Sequence, residues 1–331
     1  MGNLFEIPNI TPDVMKKINL NENNKDNKKS NFSEKNYLNV KLGKDEKVKN
    51  LTIRILPMDL ETGNPFVKVH FHTLKVNKEY FGSEWKSYLC LQKNEDIDHE
   101  TFGNKCPFCE LNKKAYELST KETNLTKVKE LQKLSLNNKS IESVILRCIE
   151  RGHEEDGVKF WKFNLRSDMT DPYNQIMALY NKRLEKTTKD GKPENILDIF
   201  NGRDLNVRIT EGNAAPIITY EDDITPLSTD EELMKKWVYD KKRWQDVFTP
   251  KPYDFLLLVS EGKLPWFDNE AKKWVDKEEF DKNHKEEQTK REQEQKEVAD
   301  KLKSDESENV VDDLKSKVSV PNDSEDEELP F

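Results

Sequence analysis

Seven short stretches of this chain alternate apolar with polar residues: "YLNVKL" (37–42), "LTIRILP" (51–57), "FVKVHFHTLKV" (66–76), "SVILRCIE" (143–150), "VKFWKFNL" (158–165), "DLNVRIT" (204–210) and "PIITYE" (216–221). Val, Ile, Phe and Thr dominate them, and Asn, Gly, Asp and Pro separate them. A period of two fits a pleated strand with one face buried and fits no helix. Six or seven strands of this length predict a mainly β (α+β) protein built on a small barrel or sandwich.

Helical spacing occurs in the intervals. "PFCELNKKAYELSTKE", "NLTKVKELQKLS", "DPYNQIMALYNKRLEK" (171–186) and "TDEELMKKWVYDKKRW" (229–244) carry it. Thr229 is the expected N-cap of the last, with Glu232 as the reciprocal residue of a capping box. Beyond about residue 268 the charges alternate in sign and apolar residues thin out, which predicts a solvated helix or charged linker. Residues 1–30 are rich in Asn and Lys and predict a flexible arm, and residues 304–331 predict an acidic disordered tail.

Composition agrees that part of the chain is unpacked, since 36% of residues are charged against 34% hydrophobic. The net charge of −9 is unevenly placed: residues 301–331 carry −6 and the other 300 only −3. The acidity therefore does not exclude a polyanionic partner for the folded part. Nothing at the N-terminus resembles a signal peptide or a membrane span, so a reducing cytoplasm without membrane contact is expected.

In that setting "NKCPFC" (104–109) decides much. A C-x-x-C pair supplies two thiolates on one knuckle, half of a tetrahedral zinc site. Cys90, at the end of the strand-like "EWKSYL", offers a third sulfur to Cys106 and Cys109. His70 and His72 share one face of their strand, and His72 is favoured over His70, with His99 a third option. A thioredoxin-type pair would need a buried strand just before the motif, which is missing. Cys148, in "SVILRCIE", is a small buried core residue. A structural Zn2+ with four protein ligands leaves no position for an activated water.

The run "VKFWKFNLRSD" interleaves Lys159, Lys162 and Arg166 with Phe160, Trp161 and Phe163. Cations facing phosphates and rings facing bases are what single-stranded nucleic acid requires. Alternation sets Trp161 and Phe163 on the face opposite Phe160 and Lys162, so one pair is expected inside and one displayed. Arg54, Arg147, Arg208 and Tyr220 extend the set on other strands. Lys75, Lys78, Tyr80, Trp85, Lys86 and Tyr88 surround the metal element. No phosphate-binding G-x-x-x-x-G-K loop, no paired carboxylates in a suitable context and no Ser/His/Asp arrangement points to an enzyme, and His153-Glu154 lacks the second histidine of a metalloprotease helix.

The chain ends "SEDEELPF". An apolar tip of Leu329, Pro330 and Phe331 after a run of carboxylates has the form of a peptide ligand. It resembles the terminal tip of bacterial single-stranded DNA-binding proteins, with Leu329 in place of an isoleucine.

In their order, "NFSEKNYLNVKLGKDEKVKNLTIRILP", "FVKVHFH", an aromatic strand ending at Cys90, "CPFC" and a basic aromatic strand resemble the single-stranded DNA-binding protein family of T-even-like bacteriophages over about residues 31–225. The resemblance implies an OB-fold, a five-stranded Greek-key barrel, with an inserted zinc subdomain held by His72, Cys90, Cys106 and Cys109. His72 is preferred because it falls six residues after Phe66, as the family's histidine follows its own phenylalanine. The resemblance also matches Phe163 and Tyr220 to DNA-stacking aromatics. The spacings between histidine, first cysteine and C-x-x-C are longer than in the family type, and the family's basic Lys-Arg-Lys-Ser-Thr arm has no good counterpart.

The expected organisation is an arm (1–30), an OB-fold core (31–267) with the zinc subdomain at about 66–125, a charged helical linker (268–303) and the acidic tail (304–331). The expected function is non-enzymatic coating of single-stranded DNA in phage replication, recombination and repair, in the cytoplasm of an infected bacterium. Replication and recombination proteins would bind the tail, and self-association along DNA is a further expectation. A zinc-ribbon interaction module of transcription or replication machinery is the rival reading.

Overall fold

A computed structural model describes residues 9–11, 36–58, 60–188, 191–213 and 215–304, with backbone alone over 297–304. These residues fall into two compact units that part after Ser260, seven residues before the boundary expected from composition.

In the first unit seven strands form one sheet: β1 (Val48–Leu56), β2 (Phe66–Lys75), β3 (Trp85–Leu89), β4 (Ile141–Glu150), β5 (Lys159–Asn164), β6 (Leu205–Thr210) and β7 (Ile217–Tyr220). The order is β3-β2-β4-β1-β6-β7, with β5 on the other edge of β4. All these ladders are antiparallel. β4 organises them: Ile141–Leu146 pairs with β2, Arg147–Glu150 pairs with β1, and Ser143–Cys148 pairs with β5. One strand serving two neighbours along one edge bends the sheet into the coiled α+β arrangement of an OB-like fold.

β4 is buried at every residue from Ser143 to Glu150 because both of its faces are covered. Val144, Leu146 and Cys148 look into a barrel core with Trp161, Phe163 and helix α5 (Pro172–Leu184). Ile145 and Ile149 look into a second core with Val158, Phe160, β2, β3 and the helices α6 (Glu231–Val238), α7 (Trp244–Val247) and α8 (Tyr253–Ser260). At about 25 cal/mol per Å2 of apolar surface, these two cores are the main stabilising terms of the unit.

Between β2 and β4 the chain inserts α1 (Lys78–Phe81), β3, α2 (His99–Phe102), α3 (Pro107–Lys121) and α4 (Leu125–Asn137). Asn9 and Ile10, within the segment whose composition marks it as an arm, are fixed to the barrel: Ile10 is fully buried, and Asn9 bonds to Asp198 and to the amide of Ile199. The Asn9 carbonyl stands where a Cβ on Gly63 would clash with it, and Gly63 has φ 74°, so that turn needs glycine twice over.

Three expectations are corrected. Residues 37–42 form no strand: Tyr37 makes a single bridge to Phe160, and the Asn39 side chain then accepts from the Lys41 amide and turns the backbone away. Helix α6 is capped by Asp230, whose carboxylate accepts from the amides of Glu232 and Leu233, rather than by Thr229. The expected linker opens in the second unit as a hairpin, β8 (Pro265–Asp268) and β9 (Lys273–Asp276), before the long charged helix α9 (Lys277–Ser304). Trp266 and Phe280, and Phe267 and Trp274, pack in pairs there, and such sparse aromatics gave no clear period in sequence. Among the described residues no helix is long and apolar enough to cross a membrane.

Candidate metal centre and nucleic-acid groove

Four donors converge in the inserted element. The Sγ atoms of Cys90, Cys106 and Cys109 and a ring nitrogen of His72 all lie within 4.8 Å of one another. Cys106 Sγ is 3.3 Å and Cys109 Sγ 3.6 Å from His72 Nε2, and Cys90 Sγ is 3.4 Å from Cys109 Sγ. A tetrahedral ion with bonds of about 2.3 Å to sulfur and about 2.0 Å to nitrogen holds its donors about 3.5–3.8 Å apart, so the set fits one. No carboxylate belongs to it, and the soft sulfur-rich donors suit a thiophilic cation.

Local structure explains the convergence. Cys106 is the N-cap of α3 and Pro107 its first residue, where a missing N–H costs nothing, so Cys109 falls back toward Cys106 within one turn. Free amides at that helix end favour thiolate, and hydrogen bonds from Cys109 and Cys90 hold the Cys106 thiol far below its ordinary range. Cys90 leaves β3 with its amide donating to His70 O, and the buried Asn94 side chain donates to both His70 O and Cys90 O. His72 Nδ1 sits 2.9 Å from the carbonyl of Asn138 at the end of α4, which fixes the tautomer with Nε2 aimed at the thiols. Burial opposes charge on His72, but hydrogen bonds to Cys106 and Cys90 outweigh it and raise the ring to about 9, so protons and a metal ion compete for Nε2. The Phe108 ring packs against those of His72 and Tyr88.

His70 and His99 stand apart from the cluster; His99 Nδ1 is engaged with Gly103 O instead. Cys148 is buried in the barrel core, where desolvation pushes its thiol up. Asn94 and Asn138 orient the ligands yet carried no sequence signal, because an asparagine in a loop and one at a helix end look like ordinary turn residues.

A groove of about 340 Å3 opens between the end of β5 and the β6–β7 hairpin, lined among others by Trp161, Lys162, Phe163, Asn164, Arg166 and Pro216. It collects four of the residues expected to meet nucleic acid. Trp161 and Phe163 form its floor, packed edge to face at 5.0 Å and buried in the barrel core. The expectation that one of the two sets on β5, Trp161 with Phe163 or Phe160 with Lys162, is displayed is therefore corrected: Phe160 enters one core, and Trp161 and Phe163 the other. Lys162 is half-buried with Nζ 3.9 Å from the Phe71 ring centre, and desolvation lowers it to about 8. Arg166 is exposed on the rim, its guanidinium forked onto Asp168.

The remaining expected contacts divide by burial. Arg208 is exposed on β6, and Tyr220 is half-buried under the guanidinium groups of Arg183 and Arg203 at 4.6 and 5.6 Å. Beside the metal element, Lys75, Lys78, Tyr80 and Trp85 are exposed, with Trp85 at 57%, and Lys86 is half-buried. Four residues are corrected to internal roles. Arg54, 1% exposed, donates to Asp198 O, Thr225 O and Asp204. Arg147, 2% exposed, donates to the carbonyls of Pro57, Trp237, Val238 and Asp240 and so closes the C-terminal end of α6. Lys159 is buried between Glu150 and Asp156, and Tyr88 lies under Phe108 and Phe255.

An OB-like sheet with a groove rimmed by Arg166 over an aromatic floor, and a four-donor knuckle inserted between β2 and β4, defines an OB-type class of protein. Comparison with known families makes this specific. The chain matches the family described as gp32 DNA binding protein like over residues 46–251, more than half of its length, and it belongs to that family of single-stranded DNA-binding proteins. Among curated proteins none matches the chain.

Proposed function

We propose that the protein coats exposed single strands during phage DNA replication, recombination and repair in the cytoplasm of an infected bacterium. The observation that carries this reading is the family match over the sheet that builds the groove, with Arg166 on its rim. The strand would lie in the groove, with phosphates drawn to Arg166 and Arg208. In this reading Zn2+ occupies the His72, Cys90, Cys106 and Cys109 cluster, supported by its sulfur-rich donors and their spacing. Four protein ligands leave no open coordination position, which supports a structural ion and a protein without catalytic activity.

The tail residues Leu329, Pro330 and Phe331 lie outside the described residues. Their acidic context and apolar tip support a role in recruiting replication and recombination proteins, and self-association along DNA belongs to the same proposal. Fluorescence anisotropy with an oligo-dT strand and a duplex of equal length, alongside metal analysis, tests the reading. The expected result is strong preference for the unpaired strand, affinity that falls linearly in log-log terms with salt, and one zinc per chain. Equal binding to both DNAs, or none to either, overturns it.

A further inference from the structure

The connection from β5 to α5 runs along the groove, and nearly every residue in it is tied down. Leu165 N donates to Glu142 O, and Arg166 N donates to Asp171 Oδ2. Arg166 Nε and Nη2 fork onto the two oxygens of Asp168, whose Oδ1 also accepts from the amide and hydroxyl of Thr170. Gln175 Nε2 donates to Thr170 O, and the fully buried Asp171 caps α5 through the Asn174 amide. At the tip of this braced turn stands Met169.

Met169 is unusual in two independent respects. Its φ is 57°, a left-handed conformation that a residue with a Cβ adopts only at a cost, and Gly or Asn would fit there more easily. Its side chain is also 67% exposed, a long apolar group on a turn flanked in sequence by two groove-lining residues, Arg166 and Pro172. Backbone strain persists where surrounding bonds over-determine it, and it gathers at binding sites. A thioether on three rotatable bonds adapts to ring edges and faces, and apolar side chains at such positions act as wedges against stacked bases.

We propose that Met169 is a base-contacting residue, packing on or between the bases of a single strand that follows the groove. The inference rests on the single-stranded DNA reading above and adds a contact to it. Because the buried rings of Trp161 and Phe163 are committed to the core, an exposed apolar group on the turn that joins two groove-lining residues supplies the sequence-tolerant base contact that they do not display.

The test is oligo-dT anisotropy over a range of salt concentrations with wild type, Met169→Ala, Met169→Asn and Met169→Leu, with thermal melts of each. Met169→Ala and Met169→Asn are expected to weaken binding roughly fivefold, the effect of losing one apolar contact. Met169→Leu is expected to retain wild-type affinity. The slope of affinity against salt should not change in any of them, because no phosphate contact is removed. Asn suits the left-handed backbone, so a loss there reports the side chain and not the turn. Wild-type affinity in Met169→Ala or Met169→Asn overturns the inference while leaving the broader reading intact. A wild type that does not prefer unpaired DNA overturns both.

Discussion

The metal knuckle and the groove start from similar sequence, strands mixing aromatic and basic residues, and end with opposite surfaces. On β3, at the outer edge of the sheet, Trp85 stays exposed and pairs across the ladder with exposed Lys75. On β5, every aromatic is drawn inward, because helix α5 and the barrel core lie on one face and the second core on the other. The lesson is that interleaved rings and cations do not by themselves make a binding platform. What decides is whether the strand has one covered face or two.

The largest expected effect separates the two regions outright. Cys106→Ser should abolish stoichiometric metal binding and collapse the knuckle and the core behind it, since a structural ion of this kind contributes on the order of 10 kcal/mol to folding. Cys148→Ser, a buried thiol on the groove side, should lower stability by only about 1–3 kcal/mol and leave the metal content at wild type. Metal analysis and melting curves on the two variants check this, and equal metal loss would erase the distinction.

A second pair contrasts two arginines that sequence could not tell apart. Arg147→Ala removes the donor to three carbonyls at the end of α6 and to that of Pro57 after β1, and should cost about 3–5 kcal/mol of stability, while the folded fraction keeps its DNA affinity and salt slope. Arg166→Ala should barely move the melting temperature, because its ion pair with Asp168 is exposed, but should weaken DNA binding and reduce the salt slope by about 0.7. Chemical denaturation and anisotropy on both variants decide the matter; a DNA-specific defect in Arg147→Ala would reverse the assignment.

The smallest effect sharpens the boundary between the regions, at Lys162. Burial lowers its pKa in the fold to about 8 from 10.5, so between those values the unfolded chain binds more protons than the folded one. Stability should therefore rise with pH across that window as the penalty for burying a charge is relieved. Lys162→Met should be flatter there in thermal melts taken at several pH values, and an unchanged pH profile would show that Lys162 is not the group responsible.

Much of this was legible in the chain. The seven strand-like runs yielded six of the sheet's strands, and "EWKSYL" the seventh: a two-residue period survives where solvent touches one face, and β4 and β5, covered on both, still show as short runs rich in Val, Ile and Phe. Cys106 and Cys109 were legible because a close thiol pair in a reducing setting has few other uses, and Cys90 because it ends a strand-like run just upstream of them. The hairpin β8–β9 was not, since its aromatics are too few to show a period against so many charges.

The sequence by itself determined the β character, the C-x-x-C knuckle and the charged C-terminal helix, all of which depend on neighbours a few residues away. Tertiary structure gave the already favoured His72 its physical reason, the Asn138 carbonyl behind its ring, and it alone turned Arg54 and Arg147 inward onto carbonyls and buried Trp161 and Phe163 beneath the groove. Such choices depend on segments far apart in the chain meeting in space, and no local pattern encodes which partner a side chain finds across the fold.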